Sequence, residues 1–419
     1  MQSKFSSSLR VQLAGIMAVV AVSILARTTP AEAQQEIVLH SFDPKIDPKG
    51  AWGPTSGLVR ESSGNLYGTT EFGGPYNCHF FGGCGTVYEA VPQEDGIWGE
   101  KVLHSFGSGT DGFIPNGPPL LDAAGNLYGT TQLGGVECAC GTVFELVPQA
   151  NGKWTEKIIY NSDENSASPG RGLVFDSEGN LYGTVVNSGG QVVLFELSPQ
   201  AGGAWTYQAL YTFSYTEAPN GFMIFDSTGN LYGETSLGGT NGTGGVYELS
   251  PQTGGGWIFQ VLYSFGPQVY GGDGDDPTGS LVIDGRGNLY GTTYQGGPLN
   301  YGIVFELSPN SGGQWTEKIL HGFKGMDGEG PEAGLAIDAS NNLYGTTVLG
   351  GIYDWGTAFE LTPTTDGEWN FTVLHNFGDS RQDAEEPWAA LILDPAGNVY
   401  GTTYLGGAAG RGTVFEITP

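Results

Sequence analysis

One short string, Gly-Asn-Leu-Tyr-Gly, returns seven times with small variations, its Asn falling at Asn65, Asn126, Asn180, Asn230, Asn288, Asn342 and Asn398. The intervals are 61, 54, 50, 58, 54 and 56 residues. A unit of that size cannot bury a core alone and must stack on copies of itself, which narrows the choice to a propeller or a solenoid. Apolar and polar residues alternate within each unit, and no helical period appears, so the units are β.

Each unit parses into four strands. One copy runs Gly172-Leu173-Val174-Phe175-Asp176, then Asn180 to Thr184, then Leu194-Phe195-Glu196-Leu197, then Trp205 to Phe213. An Asp-x-x-Gly-Asn hairpin joins the first two. Its Asp caps a type I turn, and its Gly supplies the left-handed residue of a tight connection. The expected fold is therefore all-β: a seven-bladed β-propeller of four-stranded antiparallel blades. The phase of the repeat also predicts how the ring closes. Ile37-Val38-Leu39-His40-Ser41-Phe42 matches the outer-strand ending Val102-Leu103-His104-Ser105-Phe106, while the last unit stops after a third strand, Thr413 to Ile417. Residues 36–42 should then supply the outer strand of the last blade, hiding free sheet edges at the seam.

The pattern Gly-Asn-Leu-Tyr-Gly-Thr-Thr…Gly-Gly…Gly-Thr-Val-Phe-Glu-Leu resembles the GloVer tandem repeat of exported bacterial proteins. The resemblance spans residues 34–419 and implies a propeller-like exported protein. It carries no established activity and no catalytic residues. Some members end in a surface-sorting anchor, and none precedes Pro419 here.

Lys4 and Arg10 precede an apolar stretch, Val11 to Ala26, and Ala31-Glu32-Ala33 gives a small-x-small cleavage site before Gln34. Residues 1–33 read as a signal peptide, which places the mature protein in the periplasm, at the cell surface or in the medium. Nothing later is apolar for long enough to span a bilayer. Removing that segment, with Lys4, Arg10, Arg27 and Glu32, takes the formal charge from −29 to −31. Such a chain repels phosphate backbones, so nucleic acid is excluded as a partner. The expected partner is a neutral glycan or a protein, bound by a monomer.

Candidate sites are weighed by whether they repeat. Glu89, Glu145, Glu196, Glu248, Glu306, Glu360 and Glu416 occupy one position in every unit. A sevenfold carboxylate is a structural acceptor and not a catalytic group. His104, His321 and His375 share a position with Tyr160, Tyr211 and Tyr263, which asks for a half-buried amphipathic ring and argues against a His cage. Trp98, Trp154, Trp205, Trp257, Trp315 and Trp369 also share one position and should pack the outer strand.

Trp52, Trp355 and Trp388 fall outside the repeat. They lie in connections of variable length, which blade topology sends to one face. Tyr353 and Tyr404 join them there, with Tyr76, Phe80, Phe81, Tyr270, Tyr294 and Tyr301, to make an arc over units five, six, seven and one. Exposed aromatic faces stack on sugars or anchor protein partners. Cys78 and Cys84 sit in one loop and should form a disulfide. The pairing of Cys138 and Cys140 stays open, and a zinc site using His79 is the rival use of the thiols. Asp273, Asp275 and Asp276 form the best calcium candidate, although Asp273 also fits a turn-capping pattern shared with Asp111, Asp327 and Asp383. No other cofactor is expected. Gly-x-Ser-x-Gly, zinc-protease and phosphate-loop motifs are missing. The leading expectation is thus a non-catalytic binding or scaffold propeller. The alternative is a carbohydrate-active enzyme, a glycoside hydrolase or lyase, working with carboxylates of the variable face; Glu234 stands where most units have Thr and is its idiosyncratic acid.

Overall fold

A computed structural model of the chain describes residues 35–43, 50–78, 82–93, 98–136, 140–163, 166–217, 219–266, 272–380 and 382–418. The expected signal segment lies outside these residues, as do His79, Phe80, Phe81, Cys138 and Tyr270. The chain is a seven-bladed β-propeller. Blade 3 shows the plan: Ser166–Phe175, Leu181–Asn187, Val192–Pro199 and Trp205–Thr212 pair in that order, each antiparallel to the next. Its innermost strand begins six residues earlier than the sequence pattern suggests. Among the described residues no helix is long and apolar enough to cross a membrane.

The hairpin between the two inner strands forms for the reason its sequence gives. In blade 3, Asp176 Oδ1 accepts from the amides of Glu178 (2.8 Å) and Asn180 (2.9 Å), and Gly179 sits at φ 87°. Blade 6 has Asn341 in place of the glycine, at φ 64°, one of the few side chains that tolerates this region. The Gly after Leu-Tyr has a different purpose. Gly129 lies opposite Phe144, and a Cβ there would stand 2.5 Å from the Phe144 ring, so the aromatic of the third strand fills the space over the glycine.

The core is a series of apolar layers, each shared by two neighbouring blades. The repeated outer-strand Trp packs on the Tyr of the preceding blade: Trp154 on Tyr67 (6.1 Å), Trp205 on Tyr128 (5.9 Å), Trp369 on Tyr290 (5.8 Å). A Phe follows six of the seven outer strands, Ser162 taking its place after Trp154–Asn161. It packs on an aromatic of the next blade, as Phe106 does on Phe144 (5.1 Å) and Phe377 does, edge-on, on Phe415 (5.1 Å). The first Thr of the Thr-Thr pair reaches across as well, Thr69 Oγ1 donating to Gly117 O (3.0 Å) and Thr292 Oγ1 to Ala333 O (3.0 Å).

The seam uses the same contacts. Gln35–Ser41 pairs antiparallel with Thr413–Thr418, so the N-terminal strand completes blade 7. Phe42 is fully buried and lies 5.1 Å from Tyr88 of blade 1, and Thr402 Oγ1 donates to Ser56 O (2.9 Å). Closure therefore reproduces an ordinary blade junction.

The seven repeated glutamates are structural acceptors within their blades. Glu196 accepts from Tyr182 Oη (3.0 Å), Glu360 from Tyr344 Oη (2.9 Å) and Glu416 from Tyr400 Oη (3.0 Å). The same Tyr182 Oη is 3.3 Å from Asp176 of the hairpin, so the motif is one hydrogen-bonded unit. Burial and the adjacent carboxylates push these phenols well above the usual tyrosine range, which keeps them donors at any physiological pH.

Candidate functional site

The blade-entry connections and the loops after the second strand emerge on the same face. Short ladders tie them together: Ala51–Trp52 with Phe72–Gly73, Gly274–Asp275 with Gln295–Gly296, and Ala384–Glu385 with Leu405–Gly406. At the centre of the ring is a cavity of about 620 Å³. Small residues that open the innermost strands make room for it, among them Ser56-Gly57, Gly279-Ser280, Ala333-Gly334 and Ala389-Ala390.

Arg171 breaks that rule. It stands two residues before the inward Leu173, where the other blades place Ser56, Gly117, Gly221, Gly279, Ala333 and Ala389. Among the described residues it is the one cation lining the cavity, which also holds Glu71 and Glu332. Burial pushes both carboxyls above their ordinary range, and the Arg171 guanidinium draws both back down. Asp276 adds a further upward push on Glu332. The cavity thus carries one positive charge against two carboxyls that are reluctant to ionise.

Of the aromatic arc, Trp388 and Tyr404 reach this cavity. Their rings meet edge-on at 6.3 Å, and Trp388 remains 40% exposed. Trp388 Nε1 donates to Glu386 Oε2 (3.3 Å), which fixes the ring from its polar edge. Trp52 is placed differently. It stacks on Phe72 at 4.4 Å, carries the Arg411 guanidinium 4.6 Å from its centroid and donates to Gly82 O at 3.2 Å. Trp355 packs over Gly378, where a Cβ would stand 2.4 Å from its ring, and Tyr353 is exposed in the same loop. Neither Trp52, Tyr353 nor Trp355 lines the cavity. The arc is therefore not one platform: Trp52 and Trp355 pack against neighbouring loops outside the cavity, and Trp388 and Tyr404 line it.

The remaining candidates scatter. Cys78 and Cys84 are disulfide-linked, with Cα atoms 5.2 Å apart, and Cys140 is also disulfide-bonded. Asp273 Oδ2 accepts from Tyr263 Oη (2.6 Å) and Gly266 N (2.8 Å), and its Oδ1 from Gly274 N (2.7 Å), so it organises the connection it sits in. Asp275 is buried in a short strand, and Asp276 adopts φ 56°. These three do not converge: among the described residues, sets of three ligand-type side chains meet elsewhere. Glu234 is only 1% exposed and lies against Gly291 of blade 5, outside the cavity wall. Sequence reasoning passed over Arg171, Glu71 and Glu332. Arg171 was findable as the one long charged residue at a position of small ones.

The repeat described as the Gloeobacter/Verrucomicrobia repeat matches residues 23–221, 187–319 and 311–419. The chain belongs to this family. Among curated proteins none matches the sequence. Two solved structures share the ring architecture. A virginiamycin B lyase from Staphylococcus aureus is 12% identical, with a TM-score of 0.52, over 92% of this chain and 99% of that one. A fungal alcohol oxidase of the AA5 family, in complex with copper, is 14% identical, with a TM-score of 0.54, over 88% and 75%. At such identities the likeness is one of fold, and it transfers neither chemistry to this member of the repeat family.

Proposed function

We propose that this is an exported, non-catalytic binding propeller that takes a neutral glycan into its central cavity. The observation that carries this reading is the half-exposed Trp388 beside Tyr404 on a cavity of about 620 Å³. That volume suits a small-molecule ligand, and a ring face next to backbone and hydroxyl groups is how proteins hold sugars without charge. The cavity walls offer Ser56, Asn116, Gln132 and Thr278 as further hydrogen-bonding groups. Arg171 balanced by two carboxyls disfavours a strongly anionic ligand, as does a chain of net charge −29. Export is supported by the Ala31-Glu32-Ala33 site and by a disulfide, which persists in oxidising compartments.

A glycan array and a reducing-sugar assay on the mature protein test this together. Binding without turnover, weakened by Trp388→Ala, is the expected result. The enzyme reading has its own specific support in Glu71 and Glu332, two carboxyls of raised pKa in the cavity. Sugar release that disappears in Glu71→Gln or Glu332→Gln would replace the binding reading with a glycosidase or lyase. Binding of proteins but of no glycan would move the ligand class and leave the module.

A further inference from the structure

At every blade junction the outer strand ends in His or Tyr, and that ring faces the third residue of the next outer strand. Three junctions close with an aromatic: Tyr207 on Tyr160 (4.7 Å), Phe259 on Tyr211 (5.8 Å) and Phe371 on His321 (3.7 Å). The other four place a glutamate there. In two of these the histidine, the glutamate and the aspartate of the connection all come together. The donor atoms of His104, Asp111 and Glu156 lie within 4.8 Å of one another, and so do those of His375, Asp383 and Glu36.

We propose that each of these two clusters binds a first-row divalent cation of the zinc class. His104 Nε2 is 3.0 Å from Asp111 Oδ2 and 3.7 Å from Glu156 Oε1, spacings that one small ion can bridge. The Asp111 side chain is 4% exposed. Its Oδ1 and the Oε1 of Glu156 are both buried with no hydrogen-bond partner among the described residues. Buried carboxylate oxygens left in that state are costly, and a cation satisfies them. In the second cluster Glu36 Oε1 and His375 Nε2 are buried without a hydrogen bond among the described residues, His375 Nε2 lying 3.5 Å from Asp383 Oδ2. That cluster opens on a pocket of about 400 Å³ which Asp379, Ser380 and Gln382 also line, leaving room for a water or a fourth protein ligand. One imidazole with two carboxylates suits zinc or manganese better than calcium, which requires six to eight oxygens.

The two remaining glutamate junctions show what removes the site. Between blades 4 and 5, Asp273 and Glu317 are kept, but Tyr263 replaces His and donates to Asp273 at 2.6 Å. Between blades 7 and 1, Gly50 stands where the aspartate should. There Glu100 accepts from the Ala51 amide (3.0 Å), as Asp383 does from Ala384 (2.9 Å), and His40 pairs with the same Glu100 (3.1 Å). The His321–Asp327 pair lacks the third ligand, because Phe371 stacks on the imidazole where the glutamate would stand.

The test uses untagged mature protein stripped with a chelator. Zinc, manganese and calcium are titrated by calorimetry, and retained metal is counted by elemental analysis after dialysis. Two zinc ions per chain are expected. His104→Gln and His375→Gln should each remove one, the double variant both, and Glu317→Gln none. Melting curves in metal-free buffer show that the variants fold, and the stoichiometry of the unmodified protein is independent of them. No retained zinc, a double variant that still holds two ions, or calcium preferred over zinc would each overturn the proposal.

Discussion

Glu360 and Glu317 are half-buried carboxylates of adjacent blades in opposite circumstances. Glu360 belongs to the sevenfold motif and accepts from Tyr344 Oη at 2.9 Å. Glu317 sits at an outer-strand junction, where burial and then the neighbouring Asp273 push its carboxyl up to about 7. A repeated position is tuned once, in one blade geometry, and works in every copy. A junction position faces a neighbour that differs from blade to blade, so its partner is sometimes a ring, sometimes a histidine and sometimes another acid. Repeated polar groups in this fold are satisfied, whereas those that break the repeat hold latent chemistry or a stability cost.

The harshest way to break this comparison is at the seam. Deleting residues 34–43 leaves the Tyr400–Glu416 hydrogen bond of blade 7 untouched but removes its outer strand, with Leu39 and Phe42. Loss of one buried Phe alone costs about 3–5 kcal/mol. A large drop in melting temperature and association through the exposed edge are expected in calorimetry and size-exclusion chromatography. Unchanged melting of a monomeric protein would show that the repeated motif suffices without the junction.

Next in size is the motif itself. Glu360→Ala removes the acceptor of Tyr344, a phenol buried between blades, and should cost about 1–3 kcal/mol by denaturant titration. Tyr344→Phe in the same background should recover part of this, since the orphaned donor goes with it. If the double variant is no more stable than the single, the pair is not the stabilising unit.

The same distinction divides two tryptophans that sequence alone treats alike. Trp52 is sealed by Phe72 and Arg411, while Trp388 faces the cavity with Tyr404. Trp388→Ala should weaken ligand binding by about 1–3 kcal/mol with little change in melting. Trp52→Ala should do the reverse. Loss of stability with unchanged affinity in Trp388→Ala would make both rings loop seals.

Blade number, strand order, the closing strand and the structural nature of the seven glutamates were legible because each is written seven times over. Periodicity reports what every copy shares. The cavity mouth was less legible because its members come from different positions in different blades: Arg171 from an innermost strand, Glu71 from the end of a second strand, Glu332 from a connection. Only closing the ring brings them together. The junction clusters were hidden for a related reason. His104 looks like an amphipathic ring interchangeable with Tyr160 until Asp111 and Glu156 are seen beside it. Trp52 and Trp388 occupy equivalent connections, and what separates them is whether the loop folds outward onto Phe72 or inward to the cavity.

The smallest expected effect is also the one with a distinctive sign. Below about pH 4.5 Glu317 is protonated in folded and unfolded chains alike and costs nothing. Between about 4.5 and 7 the folded protein keeps a proton that the unfolded chain has released, so stability falls as pH rises. Above 7 the whole penalty is present, about 1–2 kcal/mol once solvent screening is allowed for. Glu317→Gln should therefore leave melting at pH 4 unchanged and raise it at pH 8, whereas Glu360→Ala lowers it at both. Gln matches the protonated acid in size and shape and carries no charge, so the substitution removes the titration with little change in packing. An equal shift at pH 4 and pH 8 would mean that Glu317 behaves like its repeated counterpart and that the contrast between the two regions is one of packing rather than charge.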